Sequence, residues 1–148
     1  MTMETDDAFR AMELGMQGYN CSQILLLLAL EAQKKENPDL VRAMNGLLAG
    51  LGCGKTCGVL TGGCCLLGLY AGKGAAEKDA DESLQLMLTT FVEWFEAEYG
   101  TKYGGINCDD VMAGDMRNRL TRCPSMVLES MARLKEILAE NGYAFAAE

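Results

Sequence analysis

GLGCGKTCGVLTGGCCLLGLYAGKG, residues Gly50 to Gly74, holds four of the chain's seven cysteines, nine of its seventeen glycines and only two charges, Lys55 and Lys73. A helix this apolar has no broad face suited to water, so other helices must cover it. The stretch therefore predicts the central helix of an all-α fold. Its glycines recur at helical spacing, Gly54, Gly58 and Gly62 in one set and Gly68 and Gly72 in another, each set on one face. A glycine inside a helix costs on the order of 1 kcal/mol relative to alanine, so close backbone packing or access for a ligand has to compensate.

The flanking segments supply the covering helices. Upstream, Phe9, Met12 and Met16 fall at helical spacing before Gly18, predicting a helix over 6–17. Asn20 followed by Gln23 has the form of a capping box, which puts Cys21 at the first position of a second helix, apolar all round through ILLLLAL. Asn37-Pro38 reads as cap plus first-turn proline for a third helix with Leu40, Val41, Met44, Leu47, Leu48 and Leu51 on one face, ended by Gly50 and Gly52. Thr56 then caps the central helix, predicted over 56–71 with Cys57 in its first turn.

Downstream, a charged linker leads to an amphipathic helix carrying Leu84, Leu88, Phe91, Trp94 and Phe95, predicted to stop near Tyr99-Gly100 with TKYGG as a loop. Asn107 precedes Cys108 as cap and first turn of a short element. Pro124 fits the first position of the last helix, with Cys123 as its cap and Val127, Met131, Leu134 and Leu138 facing inward. No stretch alternates as a strand does. The expectation is one domain, 1–148, of five or six helices.

Composition narrows the function. A chain of 148 residues can bury roughly 70% of its unfolded surface without staples. A net charge of -8 argues against a nucleic-acid partner. The acidic start MTMETDDAFR lacks the basic flank and apolar core of a secretory signal, so a cytoplasmic location is expected. No run reaches the ~20 strongly apolar residues of a membrane span. The apolar faces of the second and fifth helices could also pair two copies in a homodimer.

Seven cysteines in a reducing compartment point to free thiols, metal ligands or catalysis more than to disulfides. Histidine is absent, which removes Cys-His nucleophile pairs, Cys2His2 zinc sites and the CxxCH haem attachment. Cys21, Cys57, Cys108 and Cys123 come from four segments, and each is predicted at a helix start. Free N–H groups and the positive end of the helix dipole favour thiolate there, lowering the thiol pKa. Such a set suits a thiophilic metal or an iron-sulfur centre. Cys53, four residues before Cys57, would share its face on a continuous helix, as a spare ligand or disulfide partner. Cys64 and Cys65 read as core filling.

These residues resemble the C_GCAxxG_C_C family of redox-active cysteine proteins, over nearly the whole chain. The lone cysteine resembles Cys21 in NCSQ, the box Cys57-Gly58-Val59-Leu60-Thr61-Gly62, and the last two cysteines Cys108 in NCDDVMAGD and Cys123 in RCP. Val59 stands where the box has alanine. The resemblance implies a redox-active cysteine protein with no defined reaction and an unknown redox partner. Without CxxCH or histidine, haem does not carry over.

Four readings follow. The first is a redox centre with Cys21, Cys57, Cys108 and Cys123 as ligands of an iron-sulfur cluster or other thiophilic metal. The second is a thiol-disulfide enzyme with Cys57 as the attacking thiolate and Cys53, Cys21 or Cys123 resolving. The third, nucleotide binding, rests on AGLGCGKT at 49–56, a mimic of a phosphate loop that lacks the preceding strand. The last is a structural helical module with reduced cysteines.

Overall fold

The computed structural model describes residues 3–147. Its helices are α1 (Met3–Met16), α2 (Cys21–Ala32), α3 (Pro38–Met44), α4 (Gly58–Ala71), α5 (Leu84–Phe95), α6 (Thr101–Tyr103), α7 (Cys108–Met112), α8 (Asn118–Thr121) and α9 (Cys123–Glu140). Six of these have seven residues or more, in line with the five or six expected. Among the described residues there is no strand. A lone antiparallel bridge joins Thr56 to Asn107.

The GVLTGGCCLLGLYA segment forms α4, which packs most extensively against α2 and also against α5 and α9. Leu25, Ala29, Val59, Leu66, Leu67, Met87, Phe91, Phe95, Met131 and Leu134 close the core between these four helices. Each large side chain among them contributes about 1.5–3 kcal/mol by leaving water. On α9 the inward stripe is the predicted one: Val127, Met131, Leu134 and Leu138 are all buried.

The ends of the elements hold the corrections. α4 begins at Gly58, with Cys57 as its N-cap, so Thr56 lies outside the helix. Gly54 is not on that helix either. The chain from Ala49 to Gly54 instead takes a left-handed course, with positive φ at Ala49, Gly50, Leu51, Gly52 and Gly54, closed by a Lys55 N–H bond to Gly50 O at 2.9 Å. Glycine is needed at 50, because a Cβ there would stand 2.3 Å from Lys55 O. α3 ends at Met44, and Leu48 and Leu51, expected on its inner face, are exposed.

Phe9, Met12 and Met16 also face outward, at 58%, 56% and 82% exposure, while Leu14 is the buried anchor of α1. The helix expected to stop at Tyr99-Gly100 continues instead through a wide turn, Glu96–Gly100, into α6, and ends at Gly104 with φ 81°. TKY is thus helical. The central helix is not covered on every side: Cys65 is exposed, which corrects its reading as core filling, while Cys64 is partly buried and packs against the core. No helix of the described residues is long and apolar enough to cross a membrane.

Candidate redox site

The start of α2 is fixed by local polar chemistry. Asn20 Oδ1 accepts from the Gln23 N–H at 3.0 Å, and Gln23 Oε1 accepts from the Asn20 N–H at 3.2 Å, completing the expected capping box. Ser22 Oγ donates to Asn20 Oδ1 at 2.5 Å, and Gln23 Nε2 donates to Val41 O at 3.0 Å, tying the helix start to α3. Ser22 and Gln23 are buried, so these bonds satisfy groups that water cannot reach. Cys21 stands at this anchored end.

The start of α4 is held by a clasp that the sequence did not announce. Cys57 N–H donates to Ile106 O at 2.9 Å and Cys108 N–H donates to Lys55 O at 2.6 Å, around the Thr56–Asn107 bridge. Two cysteines some fifty residues apart are thereby attached to one short ladder. Asp110 Oδ2 accepts from the Asn107 N–H at 3.0 Å, fixing the first turn of α7 beside it. α9 begins at Cys123, with Pro124 in its first turn and Arg122 before it.

The glycines of the box have steric reasons. A Cβ on Gly58 would sit 2.9 Å from Cys21 Sγ, and one on Gly62 would sit 2.7 Å from both Cα and Cβ of Ser22. The first leaves room for a sulfur of α2 and the second for the α2 backbone itself. Val59, where the box has alanine, is fully buried, so its added bulk is accommodated in the core.

The four thiols sense one another. Burial chiefly, then Cys57 and Cys123, pushes Cys21 up to about 12, with the Ser22 N–H pulling the other way and Cys108 adding a smaller rise. Burial pushes Cys57 up to about 11, opposed by the N–H groups of Val59 and Leu60 and reinforced by Cys123 and Cys108. Burial raises Cys123 as well, with Cys108 adding to it and the Arg119 charge lowering it. Cys108 is raised by burial, lowered by Arg119 and raised again by Asp109. Helix-start N–H groups reach the sulfurs of Cys21 and Cys57, whereas the charge that lowers Cys108 and Cys123 is that of Arg119. The expected net lowering does not occur, because loss of water outweighs the dipole.

Arg119 was missed in the sequence, although it lies four residues before Cys123, within one helical turn. Cys53 is exposed in the left-handed loop, its Sγ 3.7 Å from Gly50 O, and is not on a continuous helix with Cys57. All seven cysteines are free thiols. Among the described residues no three His, Cys, Asp or Glu side chains are spaced to hold a single metal ion. The AGLGCGKT stretch follows no strand and does not lead straight into a helix, so the phosphate-loop likeness ends at its letters.

A family model described as "Putative redox-active protein (C_GCAxxG_C_C)" matches residues 19–137. The chain belongs to this family. The matched span takes in Cys21, the Cys57 box, Cys108 and Cys123, so the C_GCAxxG_C_C pattern corresponds here to four thiols within electrostatic reach and two glycines that let α2 and α4 touch. No curated protein and no solved structure matches the chain.

Proposed function

We propose that Cys21, Cys57, Cys108 and Cys123 act together as the ligands of an iron-sulfur cluster in an electron-transfer or redox-sensing domain. The observation that supports the reading is a shared cost. Cys57 is buried and Cys21, Cys108 and Cys123 are half-buried, loss of water raises all four thiols, and neighbouring sulfurs raise Cys21, Cys57 and Cys123 further, a cost that a cation among them would offset. The donor set is all sulfur with no imidazole, the set a soft centre takes. N–H groups of Ser22, Val59 and Leu60 directed at two of the sulfurs are the kind of contact that tunes such a centre.

Four sulfurs at ~2.3 Å from one tetrahedral metal would stand only about 3.8 Å apart, and no three His, Cys, Asp or Glu side chains among the described residues are grouped to hold a single ion. A cluster, with its cysteines on separate irons, spreads its sulfurs wider and supplies one-electron chemistry when bound. The chain's own part is to hold the sulfurs on rigid helix starts, keep water out with Val59 and Leu60, and offset thiolate charge with Arg119. This reading places the protein in a reducing compartment such as the cytoplasm, acting as one domain.

The thiol-disulfide reading draws less support. With Cys57 pushed up to about 11, roughly one molecule in ten thousand carries the attacking thiolate at pH 7. Oxygen-free purification tests the proposal: iron and acid-labile sulfide are expected, lost on changing any of the four cysteines to serine and kept in Cys65→Ser. A folded protein that takes up neither iron nor sulfide under reconstitution refutes it.

A further inference from the structure

The stretch that joins α7 to α9 carries a charge opposite to that of the chain. The protein has a net charge of -8, yet three of its six arginines, Arg117, Arg119 and Arg122, fall between 117 and 122, where there is no carboxylate. Arg122 and Lys102 lie over the same Tyr103 ring, 4.8 and 5.5 Å from its centroid. The nearby carboxylates are turned to partners: Asp110 accepts from the Asn107 N–H, Asp115 accepts from Arg117, and Asp109 lies against Gly54. Arg117 keeps 89% of its side chain exposed despite its pair, so it still presents its charge to the outside.

Among these cations stand two exposed apolar side chains. Met116 is 61% and Leu120 80% exposed, four residues apart on the turn into α8 and on α8 itself. Their backbone is fixed: Asn118 Nδ2 donates to Met112 O at 2.7 Å, the Arg122 N–H donates to Asn118 O at 2.8 Å, and Arg122 Nη1 donates to Val111 O at 2.8 Å. A fixed apolar pair ringed by guanidinium groups has the make-up of a protein interface, an apolar centre with a charged rim. A phosphate-bearing small molecule would leave methionine and leucine uncovered, and the overall charge opposes a nucleic acid.

This ridge runs from α7, which Cys108 opens, to Cys123 itself. Burial raises both thiols and the Arg119 charge lowers both, so Arg119 stands within electrostatic reach of the two sulfurs. We propose that Lys102, Arg117, Arg119 and Arg122, set around Met116 and Leu120, form the docking face for a small acidic electron-carrier protein. The carrier presents its carboxylates to the arginines and its own redox centre to the Cys108–Cys123 side. Opposite charge steers the encounter and fixes its orientation, and the apolar pair holds the complex. The inference rests on the reading of the site as a one-electron centre, since such a centre exchanges electrons singly and needs a carrier of that class.

Binding tests it apart from any metal analysis. A plant-type ferredoxin, a small acidic iron-sulfur carrier, is immobilised, and the full chain is read against it by biolayer interferometry, both as reduced thiols and after reconstitution with iron and sulfide. Saturable binding is expected at about 20 mM salt and its loss at about 500 mM. Arg117→Glu and Arg119→Glu each weaken it about fivefold, mainly through the association rate. Leu120→Asp weakens it about tenfold or more. Lys78→Glu changes the net charge of the chain by the same amount beyond the far end of α4 and leaves binding as it was. Equal losses in Lys78→Glu and Arg119→Glu overturn the docking face, as does tighter binding of the basic cytochrome c. So does a dimer that Leu120→Asp splits in sedimentation, because a second copy then covers the ridge. A chain without iron or sulfide that binds in the expected pattern refutes the cluster alone, whereas a loaded chain that does not bind refutes the docking alone. Circular dichroism checks that each variant is folded.

Discussion

Replacing Gly62 by alanine sets two effects of known sign against each other. Helix propensity favours the change by about 0.8–1 kcal/mol. The new methyl would, however, stand 2.7 Å from Ser22 Cα and Cβ and 3.3 Å from Ser22 O, and these are backbone and near-backbone atoms that cannot swing aside. α2 and α4 would have to part by roughly 1 Å to restore ordinary contact, loosening the largest helix interface of the fold. Overpacking of this kind costs about 1–3 kcal/mol, and more where the backbone must move. The expected net loss is about 1–2 kcal/mol, which lowers Tm by roughly 2–8 °C in a chain of this size.

Gly68 is the control, on the same helix with nothing within 4 Å of an added Cβ. Gly68→Ala should raise Tm by about 2–4 °C through propensity alone. Thermal unfolding followed by circular dichroism, in excess reductant, reads both. Should Gly62→Ala stabilise as Gly68→Ala does, the close contact between α2 and α4 is wrong, and with it the steric account of the box.

Further outcomes are expected. In the reduced, metal-free protein, Cys21 and Cys57 hold their protons more tightly folded than unfolded, so their stabilising effect is full below about pH 9 and is lost as pH rises toward 11 and 12. For Cys21 alone this is on the order of 4 kcal/mol, and equal urea midpoints at about pH 8 and about pH 11 would contradict it. Brief alkylation at neutral pH, read by peptide mass, should mark Cys53 and Cys65 first and Cys21 and Cys57 last, with Cys57 labelling about tenfold faster per pH unit until its pKa of about 11; early labelling of Cys57 would show an open site. Asn20→Ala removes the acceptor for Gln23 N–H and Ser22 Oγ and should cost about 1–2 kcal/mol, whereas a cost near zero would mean that the capping box does not anchor Cys21.

What could be read in advance was whatever is encoded locally. Asn20 with Gln23, Asn37 with Pro38, and Cys123 with Pro124 each place a helix start within a residue of its position, because a cap acts within four residues of chain. The inward stripe of α9 follows from its period. The Thr56–Asn107 clasp left no trace, since it pairs two short extended segments far apart in sequence. Gly100 looked like a stop, but the wide turn absorbs it inside the helix. The direction of the thiol shifts was misread for a related reason: the helix dipole follows from neighbouring residues, whereas burial depends on helices arriving from elsewhere. Cys57 lies in a core shared with residues of α2, α5 and α9, so its burial exists only once those helices are in place.

The clasp has a consequence for how the protein is born. Cys21 and Cys57 leave the ribosome long before Cys108 exists to meet Lys55, and Cys123 follows later still. At synthesis rates of about 5–20 residues per second, the early pair waits roughly 3–13 s for the last of the four. During that interval the early sulfurs lack their later neighbours, so the four can gather only after Cys123 has been made.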